Sequence, residues 1–186
     1  MAKIKAQQTT ETADEFAKRL RKMGYRCIGT GAFAAVYARP GDDVVIKIGL
    51  HGEEDPWLHY AYAVKSSKQN PWLPKINKVG LFRKKDSDGY PEDYYVAEIE
   101  RLKPITIGRK RSHREVLEGL DSVWDIVERS SLKAMRLFGL DDNLIEAFRV
   151  ITKVQDRTNS SRDIHSGNVM LCGDQYEWLR REVVLL

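Results

Sequence analysis

Only two cysteines, Cys27 and Cys172, occur in 186 residues. They lie far apart and show no metal-ligand spacing, so the expectation is two buried thiols in a reducing compartment. No run approaches the roughly 18 apolar residues that span a bilayer, and the polar N-terminus carries no apolar signal segment. A cytoplasmic protein with no membrane contact is expected. Charge of one sign is also missing, since 31 Lys and Arg against 27 Asp and Glu leave a net charge of only +4. No interleaved aromatic and basic platform accompanies that charge, which argues against nucleic acid as a partner. No internal repeat or low-complexity tract occurs, which excludes a solenoid.

What is present is ordinary in amount and ordered in pattern. Residues 1–10 are polar and are expected to be loose. From Thr12, the recurrence of Phe16, Leu20 and Met23 predicts a helix that ends at Gly24. Residues 25–39 read as strand, glycine turn and strand, and Pro40-Gly-Asp-Asp43 is a turn. Val44-Val-Ile-Lys-Ile48 is β-branched and reads as a third strand. A helix is predicted from Pro56 to about Gln69, with Trp57, Leu58, Ala61 and Val64 on one side. A hairpin follows, with strands over 76–83 and 94–99 around Asp86-Ser-Asp-Gly89. Beyond Pro104 the pattern is helical, over about 112–138 and 143–155, and short strands are predicted at 168–172 and 183–186. This order predicts an α+β protein of two lobes, a β-rich N-lobe with one main helix and a helical, incomplete C-lobe. The expected boundaries are an N-terminal extension and helix at 1–24, the N-lobe and its exit strand at 25–102, and the C-lobe at 103–186.

Three constellations carry chemistry. Gly29-x-Gly31-x-x-Ala34-x-Val36 differs from G-x-G-x-x-G-x-V only at its third glycine. Glycine at the first two positions lets backbone N–H groups approach phosphate oxygens, while Ala34 falls where the returning strand begins. Phe33, at the tip, could cover the phosphates. Lys47 stands on the third strand, where the V-A-I-K pattern places a lysine for the α- and β-phosphates. A strand–turn–strand order excludes the P-loop, whose glycines must open a helix. The third constellation is Ser161-Arg-Asp-Ile-His-Ser-Gly-Asn168, in which Asp163 precedes Asn168 by five residues and an apolar strand follows. That spacing suits an aspartate that accepts the proton of a substrate hydroxyl and an asparagine that ligates Mg²⁺.

The loop Asp-Ile-His-Ser-Gly-Asn-Val-Met and the block Gly-Thr-Gly-Ala-Phe-Ala-Ala-Val-Tyr resemble those of protein kinases. Among phage-encoded kinases they resemble notably the early serine/threonine kinases of short-tailed lytic phages of enteric bacteria, with similarity over roughly residues 25–186. The resemblance implies an ATP- and Mg²⁺-dependent kinase in the infected host cytoplasm, acting on host proteins and shutting off host transcription. It implies Asp163 and Lys47 as catalytic residues and Gly29, Gly31, Ala34, Val36 and Lys47 as the nucleotide site. The backbone of Glu100 and Leu102 would face the adenine edge, with Ile99 as gatekeeper, and Asn168 would bind metal.

The chain departs from that pattern in three places. Ser161 replaces a histidine two residues before Asp163, and His165 resembles small-molecule kinases instead. No acidic residue lies between Pro56 and Gln69, so the glutamate expected to pair with Lys47 is assigned to Glu54, just ahead of the helix. Asp55 could instead cap that helix, with Pro56 as its first residue. Finally, the chain stops at Leu186, where the metal-binding aspartate of the pattern would follow, and Asp174 is poorly placed to replace it. The expectation is a fragment or a truncated form, with two alternatives to the kinase: a non-catalytic module binding a host protein, or a small-molecule phosphotransferase.

Overall fold

The computed structural model describes residues 4–51, 56–85, 91–104, 125, 129, 135–136, 139–160 and 170–171. Among them the chain is α+β, with a mixed six-stranded sheet, a two-stranded ladder and three helices of defined bounds. It divides into two compact units, Met1–Lys68 with Lys75–Arg101, and Gln69–Pro74 with Leu102–Leu186.

In the first unit, β1 (Gln7–Gln8) precedes helix α1 (Ala13–Lys22). Thr12 starts α1 through a capping box: its side chain accepts from the Glu15 N–H at 3.1 Å, and Glu15 accepts from the Thr12 N–H at 2.8 Å. This exchange satisfies two amide donors that the first turn leaves without helical partners. Gly24, with φ of 87°, ends the helix in the left-handed region, and the Tyr25 N–H returns to the Leu20 carbonyl at 3.1 Å. Met23, expected on the apolar stripe, is instead the exposed C-cap, and Ala13, Phe16, Ala17 and Leu20 form the packed face.

Three antiparallel strands follow: β2 (Arg26–Thr30), β3 (Ala34–Ala38) and β4 (Val44–Leu50). Gly41, with φ of 83°, turns the chain between β3 and β4. Helix α2 (Trp57–Ser66) and the hairpin β5 (Ile76–Lys85) and β6 (Pro91–Glu100) complete the unit. The sheet order is β1-β5-β6-β4-β3-β2, so β6 returns to lie beside β4, and β1 joins the far edge parallel to β5.

Residues 7 and 8, expected to be loose, are therefore a paired strand, with Gln7 opposite Phe82 and Gln8 opposite Arg83. Backbone pairing at an open sheet edge requires no apolar side chain, so composition did not show it. Cys27, expected to be buried, is exposed on edge strand β2, whose five residues are all exposed. Cys172 lies outside the described residues.

Alternation along the strands gives the sheet two buried faces. One carries Ala35, Tyr37, Ile46, Ile48, Phe82, Tyr94 and Val96, and α1 packs on it. The other carries Ala34, Val79, Leu81 and Tyr95, and α2 packs on it through Leu58 and Trp57. Gly49 is fitted to that second face. A Cβ there would overlap the fully buried Tyr95 ring, 2.6 Å from its Cε1.

In the second unit, β7 (Lys103–Pro104) pairs antiparallel with β8 (Met170–Leu171), and α3 spans Asp142–Thr158. The predicted 143–155 helix is thus one residue longer at its start and three at its end. Leu144, Ile145 and Phe148 of α3 pack with Met135 and Leu140, with Trp72 and Ile151 alongside. The Asp141 carboxylate accepts from the Leu144 N–H and from Trp72 Nε1, each at 3.0 Å. The Asn70 side chain donates to the Asn143 carbonyl at 2.7 Å. The short segment between α2 and β5 is thereby fastened to the start of α3. The helix expected over 112–138, the turn 86–89 and the strand at 183–186 lie outside the described residues, apart from helical residues such as Met135 and Arg136.

Candidate functional site

The register of the sheet brings the N-terminal candidates into one row. Gly29 stands opposite Val36, Val36 opposite Lys47, Lys47 opposite Ala97 and Ala97 opposite Val79. Directly opposed residues of antiparallel strands project to the same side. Lys47 is also two residues from Gly49, whose missing side chain faces Tyr95. Lys47 therefore belongs to the face covered by α2. Ala97 is fully buried and Val36 and Lys47 are half-buried. Val45 and Ile99, paired with each other, share that face two residues further along.

The glycine turn closes through the Gly31 N–H, which donates to the Ala34 carbonyl at 2.8 Å, and β3 begins at Ala34. Neither Gly29 nor Gly31 has a positive φ. A Cβ at Gly29 would meet no atom within 4 Å, and one at Gly31 only the Ala34 carbonyl oxygen at 3.9 Å. The sharp-turn reason for glycine therefore does not apply at these two positions. Open space for a close backbone approach does. Phe33 stands exposed at the tip, and its carbonyl accepts from the Leu50 N–H at 3.1 Å, tying the turn to the end of the lysine strand.

Lys47 Nζ lies over the Trp57 ring, 4.0 Å from its centroid. That ring stacks on Tyr95, with centroids 5.0 Å apart and planes 20° apart. Trp57 is the first residue of α2. Pro56 stands at the cap position, with no side-chain cap, and its carbonyl accepts from the Tyr60 N–H at 3.1 Å. The helix thus begins at Trp57, later than a start near Glu53 and one residue later than the alternative with Asp55 as cap and Pro56 as first residue. Burial pushes the Tyr60 phenol up well above its ordinary range.

At the far end of β4, the His51 and His59 rings come within 6.2 Å, although the two lie eight residues apart with no helical spacing. The His51 N–H donates to the Asp93 carbonyl at 2.8 Å. Burial, and then His51, lower the His59 pKa. Asp93 is held below the usual carboxylate range chiefly by Arg83, directly across the hairpin, through two hydrogen bonds of 2.6 Å. No group of three or more His, Cys, Asp or Glu able to hold a metal occurs among the described residues.

Of the adenine-edge candidates, Glu100 ends β6. Its N–H donates to the Lys75 carbonyl at 2.9 Å and its carboxylate accepts from the Lys75 N–H at 2.7 Å. The unit boundary falls between Arg101 and Leu102. Glu54, Asp163, His165, Asn168 and Asp174 lie outside the described residues. Met170, two residues after Asn168, pairs with Pro104, two residues after Leu102. The contact of Lys47 with Trp57 had no sequence signal, because residues ten apart on a strand and a helix meet only through packing. No helix among the described residues is long and apolar enough to cross a membrane.

Compared with known proteins, the chain matches no family model, no curated protein and no solved structure.

Proposed function

We propose that the chain is an ATP- and Mg²⁺-dependent protein kinase of the phage type, acting on serine or threonine of host proteins and so supporting shut-off of host transcription. The observation that carries this reading is the row Gly29–Val36–Lys47–Ala97. It sets a lysine at the middle of the sheet, in line with a glycine turn whose backbone is open to a ligand. Phosphates approaching that turn meet N–H groups with no Cβ in the way, and the Lys47 ammonium lies on the same face to neutralise them. Val36 and Val45 offer apolar surface there for a base.

The element order supports the same plan. A helix follows the lysine strand, a hairpin follows the helix, and its second strand docks beside the lysine strand before the chain leaves the unit. Helix α3 then leads directly into the segment holding Asp163 and Asn168, and β8 follows it. In this reading Asp163 orients the acceptor hydroxyl and takes its proton, and Asn168 would hold Mg²⁺, which neutralises charge on the transferred group when bound. Host proteins as acceptors, and the cytoplasm of the infected cell as the place of action, rest on the resemblance at the two motifs.

The test is transfer of labelled γ-phosphate from ATP to host lysate proteins. Asp163→Ala should lower transfer by about a thousandfold or more, with ATP binding retained, and Lys47→Ala should weaken both. Label unaffected by Asp163→Ala removes that residue from the mechanism. ATP binding with no transfer to any protein selects the binding module, and label appearing on sugars or aminoglycosides selects a small-molecule phosphotransferase.

A further inference from the structure

We infer that the free edge of β2 is a docking edge for a partner protein, taking an acidic, extended segment of it as a further strand of the sheet. The inference does not rest on the nucleotide reading above, and its test needs no ATP.

β2 ends the six-stranded sheet on its side, with β3 as its one neighbour. All five of its residues are exposed. Among the described residues, no backbone hydrogen bond outside the β3 ladder reaches residues 26–30. An edge strand of this kind turns a row of N–H and C=O groups away from its neighbour, and an extended peptide can pair with that row. Ile28, 53% exposed, adds an apolar contact on the strand itself.

The charge around this edge is of one sign. Helix α1 runs through Gly24 into β2, so its last turn and the start of the strand share one corner. Arg21, Lys22 and Arg26 are all exposed there, and none of them has a carboxylate partner among the described residues. The Arg21 guanidinium instead lies over the Tyr37 ring, 5.7 Å from its centroid, and donates to the Tyr37 hydroxyl at 3.3 Å. Tyr37 stands opposite Cys27, so Arg21 sits beside the edge on the α1 face. Arg26, one residue from Cys27, projects to the other face. Neither β2 nor β3 contains an acidic residue. Glu11 and Asp42 are already paired with Arg19 and Arg39.

A second copy of the chain fits this edge poorly. Pairing β2 with β2 brings the two sets of cations together, and like charges on facing strands are destabilising. The register shift between Cys27 and Gly29, with Ile28 as the extra residue, also interrupts the regular ladder that a long self-pairing needs. An acidic strand turns the same cations into attraction on both faces.

The experiment uses the full chain and, as probe, a short blocked peptide of sequence Val-Glu-Glu-Val-Glu-Glu-Val, whose carboxylates face both sides when extended. It should bind with an affinity that falls as salt is raised, and the amides of residues 26–30 should gain protection from exchange. Lys22→Glu combined with Arg26→Glu should weaken binding by roughly tenfold or more, and the milder Lys22→Gln with Arg26→Gln by a smaller factor. A peptide N-methylated throughout has no N–H to offer the edge and should not bind. Equal binding of that methylated peptide overturns strand addition. Equal binding of a peptide with lysine in place of glutamate overturns the charge argument, and no binding of the acidic peptide at millimolar concentration overturns the proposal outright. Protection of residues 26–30 that rises with protein concentration, without peptide, assigns the edge to a second copy instead. A short single-stranded DNA that displaces the peptide and binds more tightly assigns the cations to a nucleic acid.

Discussion

Gly49 lies inside β4, one residue before its end, where alanine would ordinarily be the better residue, since glycine in a strand loses more conformational entropy on folding. Here the Tyr95 ring decides the sign. A Cβ would overlap a side chain that is fully buried and already stacked on Trp57, so the ring has no room to withdraw. Gly49→Ala is expected to cost about 1–3 kcal/mol, the usual range for overpacking, as a lowered urea midpoint with the slope unchanged. At the same scale, the Arg83–Asp93 pair links stability to pH. The folded Asp93 pKa lies below its unfolded value, so its contribution is present above about pH 4 and is lost as pH falls through the folded value. Asp93→Asn should lower the melting temperature at neutral pH, and its gap from the wild type should close under acid. A gap that stays constant down to pH 2 would assign the effect to packing instead.

The two main helices of the sheet unit are written in the chain by different signals. Helix α1 has a full set of local ones: the Thr12–Glu15 capping box, an apolar stripe and a left-handed glycine. Thr12→Ala should cost about 1 kcal/mol, whereas Leu20→Ala, which opens the core against Tyr37, Ile48 and Tyr94, should cost about 2–4 kcal/mol. Equal costs in chemical denaturation would show that α1 contributes little beyond its own helicity. Helix α2 has no capping side chain and no acidic first turn, and it stands on burial of Leu58, Ala61 and Val64. Its position therefore depends on the sheet, and with it the position of Trp57 over Lys47. The sequence marked that helix correctly, and it marked Lys47 from its strand, but nothing in the residues near Trp57 indicated that the ring would meet the lysine.

Across the whole molecule, the segment Gln69–Pro74 separates two consecutive elements of the sheet unit yet belongs to the other unit. Asp141 explains how that segment is held within its unit, since one carboxylate both caps α3 and accepts from the Trp72 indole. Asp141→Ala removes the cap and strands a half-buried indole N–H, for a combined cost of about 2 kcal/mol. The expected outcome is faster amide exchange across the first turns of α3, with Asp141→Asn retaining most of the protection. Exchange in α3 unchanged by Asp141→Ala would show that Leu144, Ile145 and Phe148 hold the helix without its cap.

The residues alone determined the kinds of element and their order: a capped helix, a glycine hairpin, a lysine strand, a second helix, a hairpin and a long apolar-faced helix. They also marked Gly29, Gly31 and Lys47 as candidates for a phosphate site, and the sheet register puts Gly29 and Lys47 in one row. Such signals are legible because caps, turns and periodicity act within a few residues of the positions that carry them. Tertiary structure decided that β6 lies beside β4, that Gln7 and Gln8 pair with β5, and that Met170 pairs with Pro104. It also decided that Cys27 is exposed, that His51 meets His59, and that the Lys47 ammonium lies over the Trp57 ring. These outcomes depend on which parts of the chain fit one another across eight to seventy-five residues, and the shape of a packed core is not a property of any local stretch.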